Sequence, residues 1–105
     1  HATTKRRTSA ADHKRQQATT RRRQRRLDAL HTRITDLEQR IGEREEAIRA
    51  LETAMAAPNF YENNQASQEA AARHQMLMWE VGDLMNQWEA LHAEASMDGS
   101  AKTPS

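Results

Sequence analysis

The sequence of 105 residues has no cysteine, three glycines, two prolines, one phenylalanine, one tyrosine and two tryptophans. The absence of cysteine excludes a disulfide framework and a thiolate metal site. No apolar run approaches the roughly 18 residues of a membrane span, and no signal peptide is recognisable. Because hydrophobic residues make up only 36% of the chain, we expect a two-helix seam instead of a globular core. A cytoplasmic chain, without membrane or small-molecule partners, is the expectation. Its start at His1 suggests a piece of a longer protein.

Apolar residues recur in steps of three and four on both sides of one break, the segment 57–64 that contains Pro58. Such a narrow stripe is a coiled-coil seam, which one helix cannot bury alone. The two series are Leu27, Leu30, Ile34, Leu37, Ile41, Ile48, Leu51 and Met55, then Ala70, Leu77, Val81, Leu84, Trp88, Leu91 and Ala95. The pattern predicts an all-α fold, an antiparallel two-helix coiled-coil hairpin with a disordered basic N-terminal arm.

The predicted boundaries follow from the break and from the composition of the ends. Residues 1–21 form a basic flexible arm, 22–97 form the hairpin, and 98–105 form a flexible tail. Within the hairpin, the first helix covers 22–57, the tip 58–64 and the second helix 65–95. Either Asn63 or Asn64 is expected to cap the second helix. The tip residues of interest are Pro58, Phe60 and Tyr61.

Two residues depart from the seam pattern. Arg44 occupies a core position, and we expect its stem to lie along the seam while its guanidinium reaches a nearby acid. A register-fixing role is the alternative. Trp79 falls on the outer face of the second helix, either to pack against the parent protein or as a tolerated surface residue.

Charge is distributed unevenly along the chain. Residues 1–26 hold ten basic residues and one acid, a balance of +9, whereas residues 27–105 hold six basic and fourteen acidic residues, a balance of −8. The basic set is Lys5, Arg6, Arg7, Lys14, Arg15, Arg21, Arg22, Arg23, Arg25 and Arg26. Such an arm favours a polyanion partner, DNA or RNA, contacted through phosphates. A solvated linker is the alternative.

No catalytic pattern is present. The three glycines lie in no phosphate-cradling run, HExxH does not occur, and the five histidines have no i, i+4 pairing. We therefore predict that this chain is not an enzyme and that it carries no metal and no cofactor of its own.

Two motifs resemble those of one protein family. Residues Leu51 to Tyr61, LETAMAAPNFY, are similar to the hairpin tip of ABC-F ATPases, and Gln87 to Leu91, QWEAL, are similar to the end of the second helix of their hairpin. Ala57 stands where the family usually has Asp, which puts any polar role of that position in doubt. The basic lead-in is similar to the linker after the second ATPase domain of Uup-type members, so the resemblance covers roughly residues 1–97.

The resemblance implies a C-terminal coiled-coil domain of an ABC-F ATPase. In that family ATP and Mg²⁺ are bound by the parent's cassettes, which are not in this chain. The parent acts on ribosomes in the cytoplasm, and the Uup-type C-terminal domain is associated with DNA binding. The implied partners are thus the parent's ATPase domains and DNA, ribosomal RNA or transfer RNA.

Two other interpretations remain open. A purely structural spacer or protein-docking coiled coil would not bind nucleic acid at all. A parallel dimer of the bZIP type also has a basic region ahead of Ile and Leu heptads. Against it, residues 1–26 contain no asparagine to read a base, and a matched second helix follows the tip.

Overall fold

The chain forms a long helical hairpin. The computed structural model describes the backbone of residues 2–100 and the side chains of residues 9–98. Helix α1 covers Ala2–Met55, a 3₁₀ turn covers Phe60–Glu62, and α2 covers Asn64–Ser100. The described residues contain no strand. The predicted all-α antiparallel hairpin is confirmed.

The two helices meet along the predicted seam. The buried residues are Leu27, Leu30, Ile34, Leu37 and Ile48 on α1 and Leu77 and Leu91 on α2. The intervals between successive members are three, four, three and eleven residues on α1 and fourteen on α2, all sums of three- and four-residue steps, so they share one face of their helix. Apolar surface is removed from water only along this line, which explains why a chain with so few apolar residues folds.

Packing is densest at the base of the hairpin, which is the end opposite the turn. Leu30, Ile34, Leu37 and Leu91 form one buried cluster, with Leu84, Trp88 and Ala95 packed against it. The Trp88 ring lies 4.2 Å from that of His92 between centroids, and its indole N–H is buried without a hydrogen-bond acceptor.

Packing is sparser in the half near the tip. Ile41 is only half-buried, and Arg44 takes the next core position. Arg44 Nε donates to Glu80 Oε2 across the seam at 3.2 Å, and its side chain is 35% exposed. The expectation for Arg44, a stem along the seam and a charged head on an acid, is confirmed.

The turn follows from proline and asparagine. Because Pro58 disfavours a helical Ala57, α1 ends at Met55, two residues before the predicted end. Asn63 Oδ1 accepts a hydrogen bond from the backbone N–H of Ala66 at 3.0 Å, so Asn63 caps α2 as predicted. Phe60 is half-buried and meets Tyr61 edge to face at 5.0 Å, while Tyr61 is 70% exposed.

The N-terminal segment requires a correction. The predicted irregular arm is helical in the structure, because α1 begins at Ala2 and not near residue 22. The physical reason is local, since residues 2–26 contain neither proline nor glycine and are rich in alanine, arginine and glutamine, which favour helix. At the other end, α2 extends to Ser100, five residues beyond the prediction. Of the predicted tail, residues 101–105 lie outside the described part.

Candidate nucleic-acid interface

The candidate interface is the part of α1 that extends past the end of α2. At the base of the hairpin, Arg26 Nε donates to Asp98 Oδ2 at 3.0 Å. We call residues 2–25, which precede this ion pair, the overhang. At 1.5 Å per residue these 24 residues extend for about 36 Å. The overhang holds nine basic residues and one acid, so its formal charge is +8.

Hydrogen bonds within single turns support the helix of the overhang. The Thr19 hydroxyl donates to the Arg15 carbonyl at 2.9 Å, and the Thr20 hydroxyl donates to the Gln16 carbonyl at 2.8 Å. Gln17 Nε2 lies 3.1 Å from His13 Nε2, one turn apart. All three contacts are local, so helix propensity contributes to holding the overhang helical.

The helix gathers the basic residues on one face. Two rows lie side by side, one of Lys14, Arg21 and Arg25 and one of Arg15, Arg22 and Arg26, because both repeat at intervals of seven and four. We call these six residues the cationic face. Apart from Arg26, which reaches Asp98 of α2, it points away from the line of the Leu and Ile seam. Ala11 and Ala18 lie between the rows and are half-buried.

The cationic face has few internal counter-charges. Among the side chains of residues 9–98, only Arg26 of this face forms an ion pair with a carboxylate. By contrast, arginines of the hairpin pair locally, Arg40 with Asp36 and Arg49 with Glu46, and the pKa of Arg49 is raised by its hydrogen bond to Glu46. The positive electrostatic field of the overhang is therefore available to attract an anion from outside the chain.

The predicted site residues fall into four groups. The structure brings six of the ten basic residues together on the cationic face, and Arg23 lies half-buried on the opposite side of the helix. The side chains of Lys5, Arg6 and Arg7 lie outside the described set. The tip residues Pro58, Phe60 and Tyr61 lie at the other end of the hairpin, about 44 Å from Arg26 by helical rise.

Sequence reasoning overlooked the cationic face because it treated the segment as irregular. The available signal was the spacing of Lys14 and Arg21, and of Arg15 and Arg22, each seven residues apart in a stretch without proline or glycine. Within the residues described, no group of three metal-ligating side chains occurs. None of the helices searched is long and apolar enough to cross a membrane.

The described residues form a helical hairpin with a basic extension, which is the architecture of a helical accessory domain. The comparison with protein families agrees with this class, because the model of the ABC transporter C-terminal domain matches residues 18–93. The chain belongs to this family of non-catalytic helical domains and is thus an accessory domain of an ABC-type ATP-binding protein. No curated protein and no solved structure matches it.

Proposed function

We propose that this chain is the nucleic-acid-binding C-terminal domain of an ABC-F ATPase of the Uup type, and that the overhang binds phosphate backbones. The observation that carries the proposal is the cationic face, six basic residues in two rows on an exposed helix with one internal ion pair among the described side chains. Phosphates spaced along a nucleic acid match a row of arginines better than a single anion does.

Contact with the backbone is favoured over reading of the sequence. Arginine makes bidentate hydrogen bonds to phosphate, and the overhang is rich in it. Residues 1–26 contain no asparagine, the residue that pairs with adenine in the major groove, and no aromatic Phe, Tyr or Trp. Binding that depends on charge and depends little on sequence is therefore expected.

The parent supplies the rest of the proposed function. Its cassettes would bind ATP and Mg²⁺, and it would act in the cytoplasm, on ribosomes or on DNA. The resemblance of the Leu51–Tyr61 segment to the ABC-F tip and the matched family support this assignment. In this arrangement the hairpin holds the overhang and the tip at opposite ends of a rigid rod.

A spacer or docking coiled coil is the second candidate, because the hairpin alone accounts for the buried seam. A parallel bZIP-like dimer is disfavoured by the structure. Its Leu and Ile seam would have to face a second copy, whereas Leu30, Ile34 and Leu37 are already covered by α2.

The test uses the full chain and two variants with equal loss of charge. The first carries Lys14→Gln, Arg15→Gln, Arg21→Gln and Arg22→Gln on the cationic face. The matched control carries Arg33→Gln, Arg40→Gln, Arg49→Gln and Arg73→Gln on the hairpin. Affinity for labelled duplex DNA and for structured RNA is measured across a salt series by fluorescence anisotropy.

The unaltered chain should bind with an affinity that falls steeply with salt. Each lost phosphate contact lowers the salt slope by about 0.9, so the overhang variant should lose up to about four contacts. The hairpin control should keep most of its slope. If both variants weaken binding equally, net charge and not the cationic face is responsible. If the unaltered chain binds neither polymer at low salt, the spacer function replaces this proposal.

A further inference from the structure

A second surface of the hairpin has no partner within the chain. Along the side of α2 opposite the seam, uncharged residues recur every three or four positions. We call this set the outer stripe: Gln68, Ala72, Gln75, Trp79, Gly82, Asn86, Ala90, Ala93 and Met97. All are exposed; Trp79 is 64% and Met97 is 74% exposed. Two large apolar side chains, Trp79 and Met97, thus lie exposed in a line of small and uncharged residues, a surface that a second helix can cover.

Gly82 supplies a second reason to expect that another helix packs closely against the outer stripe. A glycine inside a helix costs roughly 1 kcal/mol relative to alanine. A Cβ placed at Gly82 meets no atom within 4 Å, so nothing in the hairpin requires a glycine there. A second helix lying across the outer stripe would require a small residue at this position.

The charges flanking the stripe identify the helix that fits. The sequence of α2 holds six acids and one arginine, a formal charge of −5. Asp83, Glu89 and Glu94 are exposed on either side of the outer stripe. Two such faces would repel each other, so pairing of α2 with a second α2 is disfavoured. The chemistry favours a basic helix that carries small apolar residues and an arginine whose guanidinium can stack on the Trp79 ring.

The overhang has that chemistry, but it cannot reach its own α2 because α1 continues straight past the base. A second copy can supply it. If two copies lie antiparallel about a two-fold axis near their bases, each overhang runs beside the other's α2. The overhang is about 36 Å long and α2 about 55 Å, so both contacts form at once and the assembly closes.

The geometry points to a self-association surface: the basic overhang of one copy docks on the acidic flanks and outer stripe of α2 in a second copy. This pairing goes beyond the proposed function and is tested without nucleic acid. Its failure therefore leaves phosphate binding untouched, and the reverse also holds.

The test is the mass of the 105-residue chain by sedimentation equilibrium at about 0.05 M and about 0.5 M salt. A dimer at low salt that becomes a monomer at high salt is expected. A monomer under both conditions overturns the proposal and leaves the outer stripe for another protein, such as the parent's ATPase domains. Species larger than a dimer overturn the closed two-fold arrangement.

Charge reversal makes the test specific. Asp83→Lys with Glu89→Lys and Glu94→Lys should abolish the dimer, and so should Arg15→Glu with Arg21→Glu and Arg22→Glu. The six changes in one chain should restore it, because each copy then carries both reversed surfaces. All these positions are exposed, and circular dichroism checks that the hairpin is retained. A dimer that either reversal leaves intact, or that the combination does not restore, contradicts the proposal.

Trp79 provides a second, uncharged test. Trp79→Ser should weaken the dimer, whereas Tyr61→Ser at the tip, with a similarly exposed ring, should not. Equal effects of the two changes would show that exposed aromatic rings in general, and not the outer stripe, hold the copies together.

Discussion

Helix α1 has two parts, the overhang and the part that packs in the hairpin. They share one continuous helical backbone but are stabilised by different interactions. From residue 27 onward the helix buries Leu27, Leu30, Ile34, Leu37 and Ile48 against α2. In the overhang the described side-chain hydrogen bonds stay within single turns, and the Arg26–Asp98 ion pair to α2 follows directly after it. Helical structure seen in both parts therefore has different physical origins, and substitutions should affect the two differently.

The largest effect is expected in the packed part, at Trp88. Trp88→Ala should lower the free energy of unfolding by about 3 kcal/mol, the low end for tryptophan, because the ring is half-buried and its N–H has no acceptor. Trp79→Ala, at an exposed ring, should change it by less than about 0.5 kcal/mol. Urea unfolding followed by circular dichroism measures both. Equal losses would show that the seam register is misassigned.

An intermediate effect is expected at the weak half of the seam. Arg44→Leu should raise the free energy of unfolding by roughly 1 kcal/mol, because an apolar side chain replaces a half-exposed ion pair at a core position. Glu80→Gln, which leaves Arg44 in the seam without its acid, is the control and should not stabilise the hairpin. A destabilised Arg44→Leu chain would favour the register-fixing role.

Replacing the glycines within the helices by alanine should also raise the free energy of unfolding, by a smaller amount. Neither Gly42 nor Gly82 has an atom within 4 Å of an added Cβ. Each change to alanine should therefore stabilise the monomeric hairpin by about 0.5–1 kcal/mol. Melting curves at high salt, where self-association is screened, give the measurement. A loss of stability at either position would reveal a bend that needs glycine.

The smallest effect on global unfolding is expected in the overhang. Ala18→Gly should lower helix content near the N-terminus but leave the melting temperature of the hairpin within about 1 °C, since no packing is lost. Ala47→Gly, at a half-buried alanine within the hairpin, should cost about 1 kcal/mol and is the matched control. A melting temperature that falls equally in both would mean that the overhang folds cooperatively with the seam.

The sequence by itself determined the hairpin, because a three-four apolar repeat interrupted by Pro58 has few other ways to bury its stripe. It also narrowed the cap of α2 to Asn63 or Asn64 and predicted that the Arg44 head would reach an acid, since each depends on positions along one helix or on register from the turn. The sequence also showed directly that residues 1–26 are strongly basic and that residues 27–105 are acidic.

The structure decided how the charged residues are arranged in space. Composition alone suggested an irregular arm, and only the continued helix aligned Lys14, Arg21 and Arg25 beside Arg15, Arg22 and Arg26. The reason is that propensity is a weak bias in an unpacked segment, so sequence pattern could not decide between coil and helix there. The outer stripe, likewise, could be recognised as a free surface only from the structure. The opposite side of α2 packs against α1, and Trp79 is left exposed.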